Sequence, residues 1–181
     1  MTTHVSRRPR PTIAVCGAST INDPAVLSMT RQLGRQLGLS GANLVCGGGG
    51  GVMEAASTGF MEKRRPGKGG VLVALLPGAD RSGHRGEADI VIPTGMGYAR
   101  NVILTLCADA VILVGGGSGT LSEAALAWQH GKPIVALAPS GGWAGRLAGQ
   151  SLDGRRRDRI LTSNDPEEAV HMAIAAARRA G

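Results

Sequence analysis

The stretch from Val114 to Glu123 reads VGGGSGTLSE, and an earlier one from Cys46 to Ala55 reads CGGGGGVMEA. In both, an apolar run meets a block of glycines and then a helical pattern. A buried strand that turns at once into a helix needs such a block, because glycine lets the backbone turn tightly and lets a ligand approach amide groups without meeting a Cβ. The free N–H groups and the positive end of the helix dipole then form a place for phosphate or another anion. Glycines alone are equally consistent with an empty tight turn.

Outward from these blocks, short apolar runs alternate with helical periodicity. Thr12 to Cys16 reads as a strand. Asp23-Pro24 caps and opens a helix on which Val26, Met29, Leu33 and Leu37 recur. Asn43 to Cys46 is a strand, Val52 to Lys63 a helix, Gly70 to Leu76 a strand, Ala79 to Glu87 an exposed polar loop, and Ala88 to Ile92 a short strand. A helix follows the Pro93 to Gly97 turn, with Ala99, Val102, Ile103 and Leu106 as its apolar face. Then come a strand over Ala110 to Val114, a helix over Leu121 to His130, and a strand over Pro133 to Leu137. Gly141 to Arg159 predicts a helix and a mobile loop, Ile160-Leu161 an edge strand, and Asp165-Pro166-Glu167-Glu168 a helix start with acids in its first turn. Alternation of this kind predicts an α/β fold: one modified Rossmann-like domain over residues 12–181, a mostly parallel sheet flanked by helices, behind a flexible basic tail at 1–11. Gly47 and Gly115 lie 68 residues apart, too far for a solenoid period.

Bulk composition narrows the function. The 181-residue chain is 43% apolar and only 2% aromatic, so Ala, Val, Leu and Ile must build the core. No apolar stretch approaches a membrane span and the N-terminus lacks a signal peptide's apolar region, which predicts a cytoplasmic protein. Cys16, Cys46 and Cys107 each sit in an apolar segment and read as reduced core thiols. The net charge of +7 is spread over separate clusters at Arg7, Arg8 and Arg10, at Lys63, Arg64 and Arg65, and at Arg155, Arg156 and Arg157. With so few aromatics there is no stacking platform for nucleic acid, and a small anionic ligand uses the charge more economically. His4, His84, His130 and His171 are scattered, so no metal site is expected.

Known nucleotide motifs fit poorly. A G-x-G-x-x-G fingerprint would need glycine where Val52 and Thr120 stand, and neither Gly67-Lys68-Gly69 nor Gly131-Lys132-Pro133 completes a phosphate loop. Near the turns, Glu123 stands three residues after Thr120, as in a Thr-x-x-Glu capping box. In that place the helix dipole would keep its carboxylate ionised and aim it at the glycine amides. Arg100 follows TGMGYARN at a helix start and suits a phosphate. Since ligands of open parallel sheets gather at the carboxyl ends of strands, Arg100, Glu123 and both turns should converge.

GGGGGVMEAA, GMGYARN and GGGSGTLSEAA, in that order, resemble the LOG family, once labelled lysine decarboxylase-like, and more closely its branch of molybdenum-cofactor carrier proteins. The resemblance spans roughly Ile13 to Leu137. It implies Arg100 and Glu123 as a catalytic pair, and Gly17, Ser19, Gly48, Gly49, Gly50, Gly116, Gly117, Ser118, Gly119 and Thr120 as contacts to ligand or phosphate. In the enzymes of the family the pair would cleave the N-glycosidic bond of nucleoside 5′-monophosphates, the carboxylate stabilising charge at C1′ while water attacks. Gly115 replaces the proline that opens the enzymes' Pro-Gly-Gly-x-Gly-Thr-x-x-Glu motif, and Asn101 stands where they usually have lysine. Both departures are similar to the carrier branch, which implies a bound phosphorylated pterin, the molybdenum cofactor, held without turnover. The resemblance further implies no required cofactor and a homodimer or higher homo-oligomer, formed through helices beside the site. Pyridoxal phosphate chemistry is not supported, because no lysine is placed for it.

Overall fold

The computed structural model describes residues 10–65, 67 and 69–180, so the basic tail, including Arg7 and Arg8, lies almost wholly outside the described residues. Seven strands form one sheet in the order β4-β3-β2-β1-β5-β6-β7. They are β1 (Thr12–Gly17), β2 (Asn43–Cys46), β3 (Leu72–Leu76), β4 (Ile90–Pro93), β5 (Ala110–Val114), β6 (Ile134–Leu137) and β7 (Leu161–Ser163). Every pairing is parallel, with Cys16 beside Leu113 and Val15 beside Ile112 across the central pair. Strand order runs outward from β1 in one direction and from β5 in the other, so the two halves of the sheet wind oppositely and a crevice opens between the ends of β1 and β5.

Alternating side chains divide the core in two. Ile13, Val15, Ile112 and Val114 face helices α1 (Pro24–Ser40), α2 (Val52–Lys63) and α6 (Pro166–Ala180). Ala14, Cys16, Val111 and Leu113 face α3 (Arg100–Cys107), α4 (Ser118–Gln129) and α5 (Gly142–Leu147). The period of two in a strand sends successive residues to opposite sides, so a strand buried on both faces must be continuously apolar. Asp23 caps α1 as expected, its Oδ1 accepting from the Ala25 N–H at 2.8 Å, and Asp165 Oδ1 accepts from the amides of Glu167 and Glu168. Close approach of α1 to α2 depends on glycine: a Cβ on Gly34 would lie 2.1 Å from the Ala56 carbonyl oxygen, and one on Gly59 would lie 2.0 Å from that of Arg31.

Several expectations need correction. Helix α4 starts at Ser118, three residues before the predicted Leu121, because its first turn forms directly on the glycine block. β3 begins at Leu72 and β4 ends at Pro93, which an edge strand tolerates. The stripe Ala99, Val102, Ile103, Leu106 is not the buried face of α3: Leu106 is 51% exposed, and Asn101, Leu104 and Thr105 are the buried positions. Thr105 is satisfied within its own helix, donating to the Asn101 and Val102 carbonyls, whereas Asn101 is only half satisfied, its amide N–H donating to Ser122 of α4. Cys16 and Cys46 are buried as expected, but Cys107, in the last turn of α3, is exposed. In the Gly141–Arg159 segment, Arg156 stacks 4.5 Å above the Trp128 ring and donates to the Trp128 and Lys132 carbonyls.

Candidate functional site

A cavity of about 910 Å³ opens over the crevice between β1 and β5. It is bounded by the loop after β1, the first glycine block, the loop after β3, the start of α3 and the first turn of α4. Of the residues singled out in the sequence, Gly17, Ser19, Gly49, Arg100, Gly117, Ser118, Gly119, Thr120 and Glu123 line it. Gly50 lies to one side, in an adjoining groove that shares Ser19 and Thr20 with the cavity. Gly48 and Gly116 do not line it. The Gly48 carbonyl accepts the Arg85 N–H at 2.9 Å, and that of Gly116 accepts the Trp143 N–H at 3.1 Å.

The two glycine blocks have different tasks. In the second, the Gly115 amide is tied to Ser140 Oγ at 2.7 Å, and Gly116 turns the chain at φ +91°. A Cβ on Gly116 would lie 2.2 Å from Thr120 Oγ1, so the missing side chain makes room for that hydroxyl. No side chain caps α4, whose first intrahelical bond runs from Leu121 to the Gly117 carbonyl, so the amides just ahead of it have no helical acceptor. In the first block, a Cβ on Gly47 would lie 2.4 Å from Arg100 Nη2. That glycine is what lets the guanidinium lie against the chain.

Arg100 and Glu123 meet, Nη1 donating to Oε1 at 3.2 Å. Glu123 is only 6% exposed, and it is the sixth residue of α4, too far in to cap the helix or to feel its first-turn dipole. The expected capping box is therefore absent. Burial pushes the Glu123 carboxyl above its ordinary value, while the Arg100 charge and the neighbouring Cys16 thiol pull it back. Burial, reinforced by the Glu123 charge, drives the Cys16 thiol well up, so it remains protonated at neutral pH. Among the described residues, three buried polar atoms lack a hydrogen-bond partner, and they belong to the same site: Arg100 Nε, Asn101 Oδ1 and Thr120 Oγ1. Buried polar groups are otherwise paired, so unpaired ones on three residues that line one cavity make it the candidate site.

Tyr98, Asp80, Ser82 and Gly83 also line the cavity and were not singled out. Their loops follow β3 and β4, and the position of a loop after a parallel strand was the available signal. The basic Gly141–Arg159 segment contributes no lining residue; its Arg156 sits at the far end of α4. No group of three or more His, Cys, Asp or Glu side chains suited to a metal is found among the described residues. Among them, too, no helix is long and apolar enough to cross a membrane.

A doubly wound parallel sheet with a glycine-rich, uncapped helix start and a buried arginine–carboxylate pair at its switch point defines a Rossmann-like domain with a candidate small-ligand site. The chain belongs to the SLOG cluster4 family, whose model matches residues 10–170. It is similar to a Mycobacterium tuberculosis cytokinin riboside 5′-monophosphate phosphoribohydrolase, with 30% identity covering 76% of this chain and 75% of that protein. Among solved structures it is similar to the Chlamydomonas reinhardtii Moco carrier protein, with a TM-score of 0.78 and 31% identity over 94% of this chain and 99% of the other. It is also similar to the molybdenum cofactor binding protein of Rippkaea orientalis, with a TM-score of 0.77 and 31% identity over 93% and 98%. Carrier proteins thus share this fold with it, and a phosphoribohydrolase shares its sequence at 30% identity.

Proposed function

We propose that the protein binds a phosphorylated nucleotide- or pterin-type ligand and releases it unchanged, in the manner of a molybdenum-cofactor carrier. The observation that carries this reading is the convergence, on one cavity, of the uncapped start of α4, the Arg100 guanidinium and buried polar atoms without partners. The ligand's phosphate lies on the amides of Gly117 to Thr120, where an anion gains from both the N–H groups and the helix dipole. Arg100 supplies a charge-assisted bond from the other side, and Ser19, Gly49 and Ser118 complete the cradle. Retention without turnover is supported by the state of Glu123: its carboxylate is buried against Arg100 and Cys16 instead of standing free to activate water.

The phosphoribohydrolase reading has one observation of its own, that Glu123 and Arg100 still line the cavity together. There Glu123 would stabilise the positive charge developing at C1′. Assembly belongs to the proposal as well. Met96, Tyr98, Val102 and Leu106 are exposed around the start and outer face of α3, Tyr98 to 89%, and this apolar surface beside the cavity suits a second copy of the chain.

Guanosine and adenosine 5′-monophosphates, incubated with the protein and with Glu123→Gln, provide the test. Calorimetric binding with every nucleotide recovered intact by chromatography is the expected result. Free base released by the wild type but not by the variant would replace the carrier reading with the hydrolase, and absence of binding would remove both for these ligands.

A further inference from the structure

The three unpartnered atoms at the cavity are chemically different. Arg100 Nε can only donate, Asn101 Oδ1 can only accept, and Thr120 Oγ1 can do either. A fully ionised phosphate offers acceptors alone, so it can satisfy the arginine and the threonine but never the asparagine. The assignment of oxygen and nitrogen in the Asn101 amide follows from its network. Ser122 Oγ gives its one proton to the Gly119 carbonyl at 2.8 Å, so it must accept from Asn101, and the atom 2.9 Å away is Nδ2. The other end of the amide, Oδ1, is left without a donor on a side chain only 3% exposed that lines the cavity.

We infer that Asn101 is a specificity-determining residue whose Oδ1 accepts a hydrogen bond from a hydroxyl or N–H group on the ligand, beside the anion held by Arg100 and α4. This inference rests on the proposed binding function and narrows it. The ligand class becomes a phosphorylated compound that carries its own donor, such as a nucleotide or a pterin phosphate, in preference to inorganic phosphate or a simple alkyl phosphate. Ser122 acts as a positioning residue through the amide. The donor has two possible sources, a sugar hydroxyl or a base amino group, and single-group deletions separate them.

The experiment measures dissociation constants of guanosine 5′-monophosphate, its 2′-deoxy and 3′-deoxy forms, and inosine 5′-monophosphate, which lacks the 2-amino group. Wild type, Asn101→Leu and Ser122→Ala are compared, with thermal unfolding confirming that each folds. Deleting the paired donor should weaken binding to the wild type about tenfold, since an acceptor would again be buried unpaired. Asn101→Leu should bind the parent and that deletion compound equally, and Ser122→Ala should retain part of the difference. A variant that only damages the pocket would weaken all four compounds by the same factor, and that result overturns the inference while leaving the binding function intact. It is equally overturned if all four bind the wild type alike. If none binds the wild type, the proposed function fails and this inference falls with it.

Discussion

Gly47→Ala isolates what the first glycine block does. Gly47 is not among the glycines with positive φ, so alanine can adopt its backbone conformation. The new Cβ would lie 2.4 Å from Arg100 Nη2 and 2.6 Å from Met53 Sδ, both at the far ends of flexible side chains, and no backbone atom is among the three nearest. To restore the 3.4 Å of ordinary contact the guanidinium must retreat by about 1 Å. The Arg100–Glu123 bond already measures 3.2 Å. Such a shift takes it outside hydrogen-bonding range. Losing one charge-assisted bond costs about 2 kcal/mol. In a chain of this length that lowers the melting temperature by about 4–8 °C. A phosphate that relied on the same guanidinium should bind about 30-fold more weakly. Differential scanning calorimetry and nucleotide titration measure the two effects. An unchanged dissociation constant would refute the argument that Gly47 exists to seat Arg100; a fall in melting temperature above about 15 °C would show that the backbone, and not the arginine, gives way.

Gly34→Ala should behave differently, because its Cβ meets the Ala56 carbonyl at 2.1 Å and can be relieved only by separating α1 from α2. A loss of about 3 kcal/mol, with nucleotide affinity preserved, is expected in denaturant unfolding. Glu62 accepts from Arg31 and from Arg35, which hold its carboxyl down at about 2. A depressed folded value means that its contribution to stability is complete above the unfolded carboxyl range and is lost as pH falls from about 4.5 towards 2. Glu62→Gln should therefore flatten the wild type's stability–pH curve within that window, and parallel curves would refute the pairing. Leu106→Asp places a charge on the exposed face of α3. If that face joins two copies, the variant should elute as a monomer in gel filtration and lose the concentration dependence of the wild type's melting temperature, whereas a monomeric wild type removes the proposed interface.

The sequence by itself determined the alternation of strands and helices. Strand β2 and helix α2 fall on the predicted residues, because a buried parallel strand has to be continuously apolar and a glycine block has to break it. It also determined that the cavity-lining turns lie at strand ends, since a parallel sheet puts all such ends on one edge. What local pattern could not determine was partnership. Glu123 reads as a cap by its spacing from Thr120, but α4 starts early enough to carry it into the interior, where Arg100, 23 residues away in sequence, is its partner. Helix α3 reads as apolar on Val102, Ile103 and Leu106, yet Asn101 and Thr105 go inward. Hydrophobic periodicity reports which face of a helix differs from the other, and only tertiary contacts decide which face is covered. The same holds for Asn101: sequence supplies the amide, but only the tertiary structure gives its N–H a partner in Ser122, on another helix, and leaves its oxygen without one.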